Sequence, residues 1–162
     1  MGDKTKKIIT LDVEKLISDL NKALADEFLA AYQYLIGSKV AKGINRKEVQ
    51  SELDEHAKEE YDHAIKLIDR IIQLDGTPIL NPKDWYKLTN CGYLPPKEFD
   101  TVSLLKQNIQ GERCAIDVYN KLLKKLKNKD DISYEMILGI LNDEITHECD
   151  LQSILEDMKH YL

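Results

Sequence analysis

The stretches Glu60-Tyr61-Asp62-His63 and Glu144-Ile145-Thr146-His147 each set a histidine three residues after a glutamate. Residues three apart on a helix share a face, so each stretch offers a carboxylate and an imidazole side by side. The chain has only four histidines, and two of them stand in this arrangement. Two further glutamates join them through an internal repeat. Glu27 opens EFLAAYQY and Glu112 opens ERCAIDVY, each with alanine three residues later and tyrosine seven later. EYDHAIKL and EITHECDL share glutamate, then histidine three later and leucine seven later. The interval from Glu27 to Glu60 differs by one residue from that between Glu112 and Glu144, as expected of one helical hairpin used twice.

The four glutamates lie within apolar stripes: Glu27 shares its face with Leu24, Ala31 and Tyr34, and Glu60 with His56, Ala64 and Leu67. An unpaired charge buried there would cost several kcal/mol, and a bound metal removes that cost. Four carboxylates and two imidazoles, with no thiolate, suit a pair of divalent iron or manganese ions better than copper(I) or a zinc finger. Two bridging carboxylates, with one terminal carboxylate and one imidazole per metal, would neutralise two dications. Glu52, Glu55 and Glu59 lack a histidine three residues on and are expected on the exposed side of their helix. His160, near the chain end, is expected to face solvent.

Positioning these groups requires long helices, and the sequence supplies them. Leu16, Leu20, Leu24, Phe28, Ala31 and Leu35 carry a first helix over about residues 11–42, stopped by Lys42-Gly43. Asn45 is placed to cap a second, running to about Leu74 before Asp75-Gly76. All four prolines fall in the next two dozen residues, where Asn81-Pro82 opens a short helix in NPKDWYKLT. A third helix is expected from Thr101 or Ser103 to about Lys127, and a fourth from about Asp131 to His160. Nothing alternates with period two, so the fold class is all-α: a four-helix bundle over residues 11–162, with a long crossover between the second and third helices. Residues 1–10, with Lys4, Lys6 and Lys7, read as a basic, flexible tail.

Composition narrows the partners. With 43% apolar and 32% charged residues the chain is too apolar for disorder, and a net charge of −6 opposes attraction to a phosphate backbone. No signal-peptide core or membrane-length segment is visible, so a soluble cytoplasmic protein with no membrane partner is expected. Cys91, Cys114 and Cys149 form no Cys-x-x-Cys knuckle and are too few for a disulfide scaffold.

One glutamate from each of two helices plus Glu-x-x-His from each of the other two resembles the ligand pattern of ferritin-like di-iron carboxylate proteins. Among these the set is similar to bacterioferritin. The resemblance implies that Glu60 and Glu144 bridge, that Glu27 and Glu112 are terminal, and that His63 and His147 each bind one of two iron ions, manganese being the alternative. Tyr34 matches the tyrosine beside that site. Bacterioferritin's haem-ligating methionine follows the second-helix glutamate; Tyr61 stands there, so no haem is expected. Ferritins of 24 subunits carry a fifth helix after the fourth, whereas this sequence ends at Leu162 with the fourth. Dps proteins carry a short helix in the crossover but build their metal site between subunits.

The combination resembles the Dps-like proteins called thioferritins, a bacterioferritin-like site in a Dps-like homododecamer. Through that resemblance Cys114 and Cys149 are the candidate redox pair; by position each lies two residues past a ligand and fits a small packing site equally well. The resemblance implies a ferroxidase that oxidises Fe2+ with hydrogen peroxide or O2 and stores ferric mineral in a hollow shell, protecting against oxidative stress without direct DNA binding. A non-storage di-iron or di-manganese peroxidase or catalase-like enzyme is the alternative.

Overall fold

A computed structural model describes residues 2–159. In chain order it contains α1 (Asp3–Ile8), α2 (Val13–Val40), α3 (Arg46–Gln73), a 3-10 turn (Pro82–Asp84) leading into α4 (Trp85–Leu88), α5 (Thr101–Leu126) and α6 (Asp131–Lys159). No strand occurs among the described residues; the nearest approach is an isolated parallel bridge between Lys42 and Asp100. No described helix is long and apolar enough to cross a membrane. His160 lies outside the described residues.

Helix ends follow local chemistry. Asp12 accepts from the Lys15 amide at 3.0 Å to start α2, and Asp100 accepts from the Ser103 amide at 2.9 Å to start α5. Asn45 does not cap α3 as expected: it is left-handed, with φ 52°, and its side chain makes no capping bond. A capping side chain needs extended backbone at that position, and the tight α2–α3 connection denies it. At the far end of α3, Asp75 takes φ 64° and the Gly76 amide donates to Ile71 at 2.9 Å. Gly76 is required by space, since a Cβ there would come within 2.8 Å of the Ile17 side chain.

The α2/α3 and α5/α6 hairpins pack into the expected ferritin-like four-helix bundle, and the crossover between them carries α4. Two apolar clusters fill it. One contains Leu20, Leu24, Leu67, Ile71, Leu126 and Ile137, the other Val49, Leu53, Leu105, Leu151 and Met158. The candidate metal-binding residues form a polar layer between the two. Away from that layer, buried Arg70 of α3 meets the carboxylate of Asp130 at 2.7 and 2.8 Å and Ser133 at 2.7 Å, joining the hairpins. The expected flexible tail instead contains α1, and beyond it Ile9 is buried while the Thr10 amide donates to the Lys129 carbonyl at 3.0 Å. Leu35, placed on the buried stripe by spacing, is 43% exposed beside Tyr32 and Tyr61.

Candidate metal centre

Each of the four long helices delivers part of one buried cluster. Glu27 comes from α2, Glu60 and His63 from α3, Glu112 from α5, and Glu144 and His147 from α6; none is more than 3% exposed. Two donor groups result. Glu27, Glu60, His63 and Glu144 form one, Glu60, Glu112, Glu144 and His147 the other, with the donor atoms of each group within 4.8 Å of one another. Glu60 and Glu144 belong to both.

Both histidines turn Nδ1 inward. His63 Nδ1 stands 3.2 Å from Glu144, 3.4 Å from Glu27 and 3.5 Å from Glu60; His147 Nδ1 stands 3.3 Å from Glu60, 3.8 Å from Glu144 and 3.9 Å from Glu112. Despite this crowding, Glu27 Oε2, His63 Nδ1, Glu112 Oε2, Glu144 Oε1 and His147 Nδ1 are buried without a hydrogen-bond partner. Donor atoms converging on shared space and left unpaired by the protein are what a pair of cations would satisfy, so the residues present fit a two-metal group.

Electrostatics reinforce the point. Burial, then the charges of Glu60 and Glu144, pushes Glu27 well above the usual carboxylate range; burial and Glu144 do the same to Glu112. Burial opposes ionisation of Glu60 too, but contacts with His147 and His63 hold it well below that range. Burial would lower both histidines, yet the carboxylates prevail: Glu144, Glu27 and Glu60 drive His63 far upward, and Glu144 and Glu60 bring His147 to about 11. The protein alone balances its excess carboxylates with protons, and metals would replace them.

Outer groups fix the donors in a crossed pattern. His63 Nε2 meets Asp143 of α6 at 3.0 Å, and His147 Nε2 meets Glu59 of α3 at 2.7 Å. Tyr34 donates to Glu112, and Tyr119 donates to Glu27. Burial and the charges of Glu27 and Glu144 push the Tyr119 hydroxyl far up, keeping it a donor. Asp143, Glu59 and Tyr119 were missed, although an acid precedes the glutamate of both Glu-x-x-His stretches and Tyr119 is the repeat partner of Tyr34. Glu59 and Glu52, expected on the open side, therefore both contact histidines: Glu52 lies 3.3 Å from His56 Nε2.

The cysteine expectation is corrected. Cys114 is disulfide-bonded to Cys91, with Cα atoms 5.8 Å apart, while Cys149 is free and exposed. At about 100° per residue, a position two past a ligand turns away from the centre. That turn takes Cys149 to solvent and Cys114 toward the crossover. Asp26 holds the crossover there: its carboxylate accepts from the Asn90 amide at 2.8 Å, Asn90 Nδ2 at 2.6 Å, the Cys91 amide at 3.0 Å and the Thr89 hydroxyl. Cys91 and Cys114 border a cavity of about 120 Å3 that reaches Glu27, Glu60, Glu112 and Glu144.

The ferritin-like domain model matches residues 17–160. The chain belongs to the ferritin-like family. This ferritin-like chain is 33% identical over 147 residues to the "DNA protection during starvation protein" of Pyrococcus furiosus, covering 90% of this chain and 79% of that one. It is 34% identical over 103 residues to the "Bacterial ferritin" of Paramagnetospirillum magnetotacticum, covering 64% and 57%. Among solved structures, a dodecameric thioferritin of Bacteroides fragilis, described as bacterioferritin-related, superposes with TM-score 0.96 at 44% identity, covering 99% of this chain and 96% of that one. Dps from Staphylococcus aureus superposes with TM-score 0.82 over 88% and 95% of the two chains; at 17% identity this shows the fold alone.

Proposed function

We propose that the protein is a ferroxidase and iron store. The observation that carries this reading is the pair of four-residue donor groups sharing Glu60 and Glu144 inside one subunit. Glu60 and Glu144 would serve both metals, Glu27 and Glu112 one each, and His63 and His147 would each offer Nδ1 to one of them. Two Fe2+ held there supply two electrons, enough to reduce one hydrogen peroxide to two waters with two protons, or to begin reducing O2. The protein's part is to hold both ions in a closed, water-poor layer and to keep their ligands oriented through Asp143, Glu59, Tyr34 and Tyr119. The small cavity beside Glu27 and Glu112 has room for an oxidant as small as O2 or hydrogen peroxide, and the Cys91–Cys114 bond at its edge is the candidate redox group.

Ferric product requires an enclosed volume, and the dodecameric relative motivates a homododecamer here. The site of action is the cytoplasm, protection comes from removing Fe2+ and oxidant together, and DNA is not bound directly. Anaerobic loading with Fe2+ followed by stopped-flow mixing with peroxide tests the reading. Consumption of one peroxide per two Fe2+, with iron then sedimenting with the protein, is expected. Peroxide turnover that continues without retained iron would favour a non-storage peroxidase or catalase-like enzyme.

A further inference from the structure

Between α2 and α5, beneath the crossover, lies the cavity of about 120 Å3 that reaches the four carboxylates of the centre. Gln33, Asn108 and Gly111 line it, and no histidine, lysine or arginine does. Gln33 Nε2 donates to Asn108 Oδ1 at 2.9 Å, and Asn108 Nδ2 donates to the Leu104 carbonyl at 3.0 Å. Asn108 is 2% exposed. Each amide nitrogen carries a second hydrogen that these bonds leave over. Burying part-satisfied amides is costly, and a polar occupant of the cavity removes that cost. Gln107 Nε2 holds the Leu94 carbonyl at 2.6 Å, and together with the Cys91–Cys114 bond this fixes the crossover as a roof.

The internal repeat shows that the amides are no by-product of the bundle. In the register that sets Glu27 against Glu112 and Tyr34 against Tyr119, Gln33 matches Val118 and Asn108 matches Ala23. Ala23 is fully buried, and Val118 packs against the apolar core. The six ligands of the centre obey the repeat, yet of these two neighbouring pairs one is hydrocarbon and the other is a pair of amides. Gly111 leaves room on the amide side: a Cβ there would come near only Gln33 Nε2, at 3.8 Å. Its counterpart, Asp26, instead seats the crossover.

We propose that Gln33 and Asn108 bind hydrogen peroxide on its way to the centre and favour it over O2. The inference rests on the ferroxidase reading and gives the oxidant its place in it. Hydrogen peroxide is neutral, donates two hydrogen bonds and accepts at both oxygens. Ionised carboxylates can only accept, so the amides supply the donors that the peroxide oxygens need. O2 has almost no hydrogen-bonding capacity and gains little there. Water competes for the same groups, but one peroxide spans two polar positions that would otherwise immobilise two waters. The acidic inner wall repels anionic oxidants such as superoxide.

Crystals of the metal-free, full-length protein are soaked in hydrogen peroxide. The wild type should show a two-atom molecule within hydrogen-bond distance of Gln33 and Asn108. Gln33→Val with Asn108→Ala, which copies the other half of the repeat, should not. Absence from the wild type, or an unaltered molecule in the double variant, overturns the proposal. In Fe2+ oxidation the double variant should raise the KM for peroxide roughly tenfold and keep kcat within about twofold, since two neutral hydrogen bonds are lost. The ratio of peroxide-driven to O2-driven rates at low oxidant should fall with it. Mn2+ stoichiometry and helical circular dichroism should match the wild type, which separates lost contacts from lost structure. A fall in kcat alone, or an equal fall with both oxidants, overturns the selectivity. Gly111→Val fills the space beside Gln33 with both amides in place and should raise the same KM; an unchanged KM puts peroxide elsewhere and overturns the site. Peroxide bound in the crystal with no Fe2+ oxidised in solution overturns the ferroxidase reading and leaves the site standing, so the two failures are distinct.

Discussion

Glu60 and Glu144 each serve both donor groups, whereas Glu27 and Glu112 each serve one. Glu60→Gln is therefore expected to weaken both metals, and Glu27→Gln mainly one; anaerobic calorimetry with Mn2+ should show two weakened binding events in the first variant and one in the second. Equal effects would show that the shared carboxylates do not bridge. The outer acids give a graded version of the same experiment. Glu59→Gln and Asp143→Asn each remove the carboxylate that orients one imidazole, and should weaken metal binding by roughly 10–100-fold with stoichiometry retained. All six inner residues were legible because the repeat fixes their register twice over. Glu59 was not, because helical spacing turns it toward solvent and it is 48% exposed along its side chain; its partner His147 comes from a different hairpin. Spacing within one helix carries no information about a contact made across two. Cys91 was hidden for the same reason, since the Asp26 carboxylate that seats its loop lies more than sixty residues away in sequence.

At the level of elements, the four long helices were legible to within about two residues because their apolar stripes are long and their stops are distinct. Asn45 and the α1 segment were not, since a left-handed cap depends on what the chain meets next, and a single short turn of helix carries too few residues to show a periodic stripe. The Arg70–Asp130 contact shows how one such meeting contributes to stability. Both groups are buried, and despite the opposing cost of burial, bonds from Ser133 and Arg70 hold Asp130 below its usual range. A depressed carboxylate adds stability that is present above its unfolded pKa and is lost as pH falls through the folded value. Asp130→Asn should thus destabilise the protein by about 3–5 kcal/mol near neutrality, and the gap in melting temperature from wild type should narrow as pH drops below the ordinary aspartate range. A pH-independent gap would mean that charge is not what the pair contributes. The thiols offer an independent check on the crossover: Cys149 should react with a thiol reagent in the folded state, while peptide mapping should recover Cys91 joined to Cys114.

For the whole molecule, the α2/α3 face away from the bundle centre exposes Tyr32, Leu35 and Tyr61 beside Phe28 and Trp85. Leu35 failed as a core residue because this side of α2 belongs to a surface, and the proposed dodecamer supplies a reason for that surface to be apolar. Tyr32→Glu with Tyr61→Glu should shift native mass toward smaller species while each folded subunit still binds its metals, since all six donors lie within one chain. Loss of metal binding together with assembly would place the centre under the control of neighbours. Within the subunit, each donor group takes three residues from one hairpin and one bridging carboxylate from the other. The ions would therefore act as rivets. Without them, the polar layer interrupts two apolar clusters with like charges and unpaired donors; with them, the two halves of the chain are bolted at mid-height, between the two clusters. Loading should accordingly slow amide exchange along the middle of α3 and α6 together, reinforcing the contacts that Asp143 and Glu59 already make between the two helices.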